Sequence, residues 1–236
     1  MNAFRKLREE RLNTAIKPFL ARGVTVKRCE QCWLGQKYCI CDALASMRAT
    51  SFVDIVLLMH RDEILKPTNS GRLIAEVLPD NCLAYQWHRA EPPKDLLGLL
   101  ADDARQCVLF FPAKDPAQSL APAQIQQNTE TSGKRITVIV PDGTWREASR
   151  MANLSVYLRN LPRVNLAQIK TGQYSVRAAC DASRLATAEA VAQLLVELGE
   201  LEAGNCVSSA FKTFNQHYRA MRDCVPVDAR AYLSNA

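Results

Sequence analysis

The sequence predicts an α/β protein with a mostly parallel sheet, and three observations carry that reading. From residue 52 onward, apolar runs of strand length alternate with stretches of helical periodicity, the pattern of repeated strand–helix units. Ile136-Thr137-Val138-Ile139-Val140 is a β-branched run of the length of one buried strand. It passes directly into Pro141-Asp142-Gly143-Thr144-Trp145-Arg146-Glu147, in which Thr144 and Glu147 have the spacing of a capping box. Gly143 permits the tight turn between strand and helix. Asp142 and Trp145 are therefore expected at the carboxyl end of a parallel strand, beside a helix N-terminus, where open α/β sheets bind ligands. An Asp that only stabilises its own turn is the plain alternative.

The 236 residues suffice for one large domain, or one domain with a small appendage, and for a sizeable core. Hydrophobic content of 48% with 23% charged residues is ordinary for a soluble globular protein. A net charge of +6 permits a nucleic-acid partner without requiring one. No run approaches the roughly 18 apolar residues of a membrane span, and Met1-Asn2-Ala3-Phe4-Arg5-Lys6 leads into charge instead of an apolar signal core. A cytoplasmic protein is expected, so the nine cysteines read as thiols or metal ligands before disulfides.

Taken in order, residues 4–21 read as an amphipathic helix with Phe4, Leu7, Leu12, Ile16 and Leu20 on one side. Arg5, Lys6, Arg8, Arg11 and Lys17 form its basic face, either a solvated surface or a contact for RNA phosphates. Cys29, Cys32, Cys39 and Cys41 follow, four cysteines within 13 residues. Four thiolates suit a closed, structural Zn²⁺ site, with an iron–sulfur cluster as the alternative. Lys27, Arg28 and Lys37 would offset part of the thiolate charge. The first 50 residues are thus expected to form a helix and zinc knuckle, and residues 51–236 the main domain.

In that domain Phe52 to Met59 is a strand candidate ending in His60, and Pro67 to Gly71 turns into a helix from Arg72 to Leu78. Cys82 to Trp87 is a second strand, Leu96 to Ala104 a helix, and Cys107 to Phe111 a buried strand stopped by Pro112. Pro116 to Gly133 reads as loop with one helix around 123–127. After the central turn come a helix from Ala148 to Leu158 and a possible strand from Val164 to Ile169. Leu185 to Leu201 and Cys206 to Arg222 read as two helices separated by Gly204-Asn205. Nothing resembles a Gly-x-Gly-x-x-Gly loop or a Walker motif, which argues against a dinucleotide or P-loop site.

Asp142-x-Thr144-Trp145 resembles the signature of the DTW-domain proteins, the tRNA-uridine aminocarboxypropyltransferases. The resemblance extends to the Cys cluster, to His60…Asn69-Ser70-Gly71-Arg72, and to Leu185-Ala186-Thr187-Ala188-Glu189-Ala190, in the same order. It departs at Ser70, where the family pattern has Thr, and at Ala186, where Ser is common. The resemblance implies a SPOUT-like sheet with a C-terminal knot, and S-adenosylmethionine as co-substrate. It also implies transfer of a 3-amino-3-carboxypropyl group to N3 of a tRNA uridine, leaving methylthioadenosine.

An imide nitrogen that holds its proton at neutral pH invites a general base, and Asp142 is the candidate; orienting the uracil or holding the cationic co-substrate is its other reading. Trp145 is suited to pack on the sulfonium end. Thr144 most simply caps the helix, with a direct chemical role as the alternative. Phe111 and Pro112, with Asp142, Gly143, Thr144, Trp145, Leu185, Ala186, Thr187 and Glu189, form the expected co-substrate pocket, the backbone of 185–187 ahead of the Glu189 side chain. His60, Asn69, Ser70 and Arg72 are the expected tRNA or carboxylate contacts, Arg72 through a bidentate pair. A methyltransferase on the same co-substrate and a non-catalytic zinc-containing RNA-binding protein are the competing functions. A monomer is expected.

Overall fold

A computed structural model describes residues 1–15, 26–113, 119–166 and 185–227. Six strands form a single sheet whose described pairings are all parallel: β1 (Asp54–Met59), β2 (Cys82–Gln86), β3 (Arg105–Phe110), β4 (Ser119–Leu120), β5 (Arg135–Asp142) and β6 (Arg163–Val164). Their order is β2-β1-β5-β3-β6-β4, so β5 is flanked by β1 and β3. Register pairs Met59 with Asp142, which brings the carboxyl ends of β1 and β5 together.

The strands alternate cleanly between two apolar layers, as a period of two requires. Ile55, Leu57, Met59, Val138 and Val140 face one layer. That layer is filled by α1 (Ala3–Asn13), α3 (Gly71–Val77), α5 (Pro122–Ser132), α7 (Thr187–Glu197) and α8 (Leu201–Asp223). Val56, Leu58, Leu109 and Ile139 face the other, against α4 (Lys94–Leu100) and α6 (Trp145–Leu154). Helices on both faces explain why β1 and β5 are near-continuous apolar runs with no polar side. The first layer also takes in Cys32, Trp33, Leu34, Ile40 and Leu44, so the cysteine segment with α2 (Cys41–Ser46) shares the main core.

At the opposite end of the sheet, Asp54 ties three strands together. Its carboxylate accepts from Arg105 at 2.6 Å and from Arg135 at 2.7 Å on each oxygen. Burial works against that charge, but the hydrogen bonds from Arg135 and Arg105 outweigh it and hold Asp54 below its ordinary range.

Several boundaries differ from expectation. The first helix ends at Asn13, and Ile16, Lys17 and Leu20 lie outside the described residues. The strand expected over 164–169 is described only as Arg163–Val164. The segment between β6 and α7 that the expected C-terminal knot would involve, 167–184, lies outside the described residues. The break between the last two helices falls at Gly199, whose φ of 81° suits glycine, and not at Gly204-Asn205. Gly204 instead lies inside α8, where an added Cβ would stand 2.6 Å from Val196 Cγ2 and 2.8 Å from the Ala192 carbonyl. A glycine in a helical pattern signals a stop or a close approach, and here it is the second.

Candidate functional site

Asp142 ends β5 and is buried, at 2% exposure. Thr187, the first residue of α7, donates its hydroxyl to Asp142 Oδ1 at 2.6 Å. Asn69 Nδ2 donates to Oδ2 at 2.6 Å, and Asn69 Oδ1 in turn accepts from the Arg72 backbone N–H at 3.0 Å. The Ser70 hydroxyl accepts from the Ala188 N–H at 3.4 Å. Gly71 is required by the same crowding, since a Cβ there would meet Asp142 Oδ2 at 2.9 Å. Three segments remote in sequence thus converge on one carboxylate.

The capping box expected at α6 is present. Thr144 N–H and hydroxyl both donate to Glu147 Oε2 at 2.7 Å, and Glu147 N–H reaches back to Thr144 Oγ1 at 3.4 Å. The other Glu147 oxygen lies 3.3 Å from His60 Nδ1. His60, carried just past β1, stacks on Trp87 with ring centroids 6.2 Å apart, and its N–H donates to the Asp142 carbonyl at 2.9 Å. Trp145 is not a core aromatic: it is 39% exposed, with its ring 5.7 Å from that of Phe111. Pro112 is exposed, and its carbonyl accepts from Arg163 at 2.8 Å. At the start of α7 the Ala186 N–H donates to Glu189 Oε2 at 3.4 Å, a role for that carboxylate in holding the helix end.

Arg72 departs from the expected substrate contact. Its side chain is wholly buried, with the guanidinium carbon 5.1 Å from the ring centroids of both Trp33 and Phe214. Burial draws it down to about 10. A group enclosed between two aromatic rings has no surface on which to meet a phosphate.

The basic face of α1 is also partly turned inward. Arg5 forms a bidentate pair with Glu76 at 2.7 and 2.9 Å, and Arg8 lies 4.3 Å over the Trp33 ring. A cleft of about 490 Å³ between α1 and the β2 edge is lined by Lys6, Arg11, Tyr85, Gln86 and His88, among others. It contains none of the residues around Asp142.

The four cysteines do come together. Sγ separations are 3.7 Å for Cys29–Cys41, 3.8 Å for Cys32–Cys39 and 3.6 Å for Cys29–Cys39. A tetrahedral ion with Zn–S bonds of about 2.3 Å requires sulfurs about 3.8 Å apart. These three separations match it, and all four sulfurs lie within 4.8 Å of one another, so the set could hold a metal. The knuckle is shaped by backbone bonds from Cys29 N–H to the Leu34 carbonyl and from Trp33 N–H to the Cys29 carbonyl, with Trp33 at φ 56°. Burial raises the Cys29 thiol, but N–H groups of Cys32 and Gln31 and the adjacent thiols more than offset it and bring it to about 7. Cys32 and Cys41 are pushed up by burial. The described cysteines are all free thiols. His60, Asp62 and Glu147 form a second group of close ligand atoms, though Glu147 there is already committed to the α6 cap.

Residues 26–221 match the model of the DTW domain. This chain belongs to the DTW-domain family. Among curated proteins it is similar to the Drosophila melanogaster tRNA-uridine aminocarboxypropyltransferase 2, 26% identical over 175 residues, 72% of this chain. The chain spans 66% of that relative's length. No solved structure matches it. The DTW match runs from the cysteine knuckle to α8, so it takes in both the metal-fitting cluster and the Asp142 centre. No helix among the described residues is long and apolar enough to cross a membrane.

Sequence reasoning missed three participants: Trp33, Trp87 and Phe214. A Cys-x2-Cys-Trp run was the available signal for Trp33, because an aromatic beside a knuckle must be placed somewhere. Trp87, the end of an expected strand, carried the same signal as His60. Phe214, in a long helix, carried none.

Proposed function

We propose that this DTW-domain protein is a transferase that moves the 3-amino-3-carboxypropyl group of S-adenosylmethionine to N3 of a uridine in tRNA. The carrying observation is the convergence of the Asn69-Ser70, Asp142 and Thr187 segments on one buried carboxylate in a chain of this family. The Drosophila relative is named a tRNA-uridine aminocarboxypropyltransferase, which supports the group transferred and the class of acceptor. S-adenosylmethionine, when bound, supplies a carbon electrophile activated by the neighbouring sulfonium.

The chain's own residues are suited to holding the reactants. Asp142 already accepts short hydrogen bonds on both oxygens. Its negative charge is therefore fixed in direction, suited to a cationic reactant or the uracil edge more than to carrying off a proton. Positioning of this kind supplies much of the rate when the electrophile is already activated. The exposed Trp145, backed by Phe111, offers a face to the cationic end of the co-substrate, with Pro112, Gly143 and Thr144 around it. Leu185, Ala186 and Thr187 with Glu189 would form the opposite wall and half-buried His60 the approach for tRNA, while the buried Asn69 and Ser70 hold Asp142 and the start of α7 behind it. The four cysteines would hold a structural Zn²⁺, and residues 1–50, packed into the same core as residues 51–236, would help position tRNA. We place the protein in the cytoplasm, as a monomer.

The test is label transfer with purified protein, tRNA lacking the modification, and S-adenosylmethionine labelled separately in its carboxyl and methyl carbons. Carboxyl label in tRNA with methyl label leaving as methylthioadenosine is the expected result. Methyl label in tRNA would make the protein a methyltransferase. No transfer with retained tRNA binding would make it a binding module.

A further inference from the structure

We propose that Arg72 is the buried counter-charge of the cysteine metal centre, a positioning residue through which metal occupancy reaches the Asn69–Asp142 pair. The observation that demands an explanation is a fully buried guanidinium whose Nε, Nη1 and Nη2 find no hydrogen-bond acceptor among the described residues. A buried cation is stable only beside compensating negative charge. The Trp33 and Phe214 rings, each 5.1 Å away, supply polarisable faces but no net charge. The acidic groups that favour its charge are the cysteine cluster, through Cys32 and Cys41, and Glu76, which is already engaged in a bidentate pair with Arg5.

Trp33 is the residue directly after Cys32, and the turn that carries it is the cysteine knuckle itself. Four thiolates around one divalent ion leave a net charge of about −2. Cations surround the same turn: Arg8 over the Trp33 ring at 4.3 Å, Arg28 donating to the Trp33 carbonyl at 3.0 Å, and Arg72 beneath. Arg72 is the one wholly buried member of this set and the one whose backbone touches the Asp142 centre, through Asn69 Oδ1 at 3.0 Å. The path is therefore short and continuous: cysteines, Trp33, Arg72, Asn69, Asp142.

A guanidinium also suits this place better than an ammonium, because it is weakly hydrated and packs its plane against aromatic rings. With the ion present, the dianionic centre compensates Arg72. With the ion removed, the same guanidinium keeps only Glu76, a carboxylate it must share with Arg5. The inference rests on the metal-centre reading given above and not on the reaction assigned to the protein.

The experiment uses the full chain, its metal content measured first, then zinc affinity by competition with a chromophoric chelator for wild type, Arg72→Met and Arg72→Lys. Arg72→Met is expected to lose about 10–100-fold in zinc affinity, the usual cost of an outer-shell partner. Arg72→Lys is expected to fall between the two. Thermal midpoints add a reversal of sign between loaded and stripped protein, which a packing change alone would not give. Arg72→Met should be less stable than wild type when loaded with zinc, and more stable than wild type when stripped. Unchanged zinc affinity, or a stability change of the same sign in both states, overturns the proposal. If neither variant folds, wild type alone decides: stripping the ion should raise amide exchange at 71–74 at least 10-fold, and unchanged exchange overturns the coupling. Absence of any bound ion in wild type would overturn the metal centre itself, whereas a bound ion with unaltered affinity in Arg72→Met overturns only the role of Arg72.

Discussion

Thr187 donates its hydroxyl to Asp142 Oδ1 at 2.6 Å, so the first residue of α7 completes a carboxylate that β5 presents. A hydrogen bond to a charged group contributes about 1.5–3 kcal/mol. Thr187→Val keeps the shape and removes the donor, and is expected to lower the transfer rate about 10–100-fold with the fold intact. Thr187→Ser should retain most of the rate. Single-turnover transfer by both variants, with circular dichroism for folding, checks this; equal loss in Ser and Val would mean the hydroxyl is irrelevant.

Gly71→Ala tests the crowding on the other oxygen. Alanine is the better helix former by about 1 kcal/mol, yet its methyl would stand 2.9 Å from Asp142 Oδ2. The carboxylate must shift, and displacement of about 1 Å at a reacting centre costs about 100-fold in rate. The expected outcome is a stable protein with strongly reduced transfer, read by the same assay beside a thermal melt.

Gly204→Ala should destabilise in spite of the same propensity gain. Its Cβ would lie 2.6 Å from Val196 Cγ2 and 2.8 Å from the Ala192 carbonyl, prising α8 from α7. Overpacking of this kind costs about 1–3 kcal/mol. Urea unfolding gives the sign directly, and a stabilised variant would show that the two helices do not approach so closely.

The Asp54 cluster predicts an acid limb. The folded-state group lies below its ordinary range, so its contribution is fully present above the unfolded value of about 3.9 and is lost as pH falls through the folded value. Asp54→Asn should cost about 2 kcal/mol at pH 7, less than the 3–5 kcal/mol of a fully buried pair, because both arginines keep some solvent. The difference between variant and wild type should narrow below pH 4. A gap independent of pH would mean that the charge of Asp54 contributes nothing.

Cys32→Ser should release the ion and lower the thermal midpoint by on the order of 10 °C, since metal-binding energy in such sites is folding energy. Elemental analysis with a melt measures both. Retention of a full complement of metal by the variant would remove Cys32 from the ligand set.

The parts legible in the sequence were those set by local chemistry. The Ile136–Val140 strand, the Thr144–Glu147 box and the cysteine spacing each depend on residues close together in the chain, and each is found where the pattern places it. The pairing of Asp142 with Asn69 and Thr187 was not legible as contact, because parallel strand order and helix docking bring distant segments together. Arg72 was misread for a related reason. An arginine beside Asn69-Ser70-Gly71 looks like a ligand contact until Trp33 and Phe214 enclose it. Gly204 was misread because the pattern cannot distinguish a helix stop from a place where two helices touch.

The order in which the chain is made has a consequence for the Asp142 centre. β5 lies between β1 and β3, which both precede it, so the sheet around Asp142 can assemble as soon as β5 leaves the ribosome. Thr187 follows 45 residues later, a few seconds at roughly 5–20 residues per second. For that interval Asn69 can reach Asp142 Oδ2, while the hydroxyl of Thr187 has yet to be made. The Asp142–Thr187 contact cannot form until α7 has been made, so a polypeptide released before that point carries the scaffold of the site without that contact.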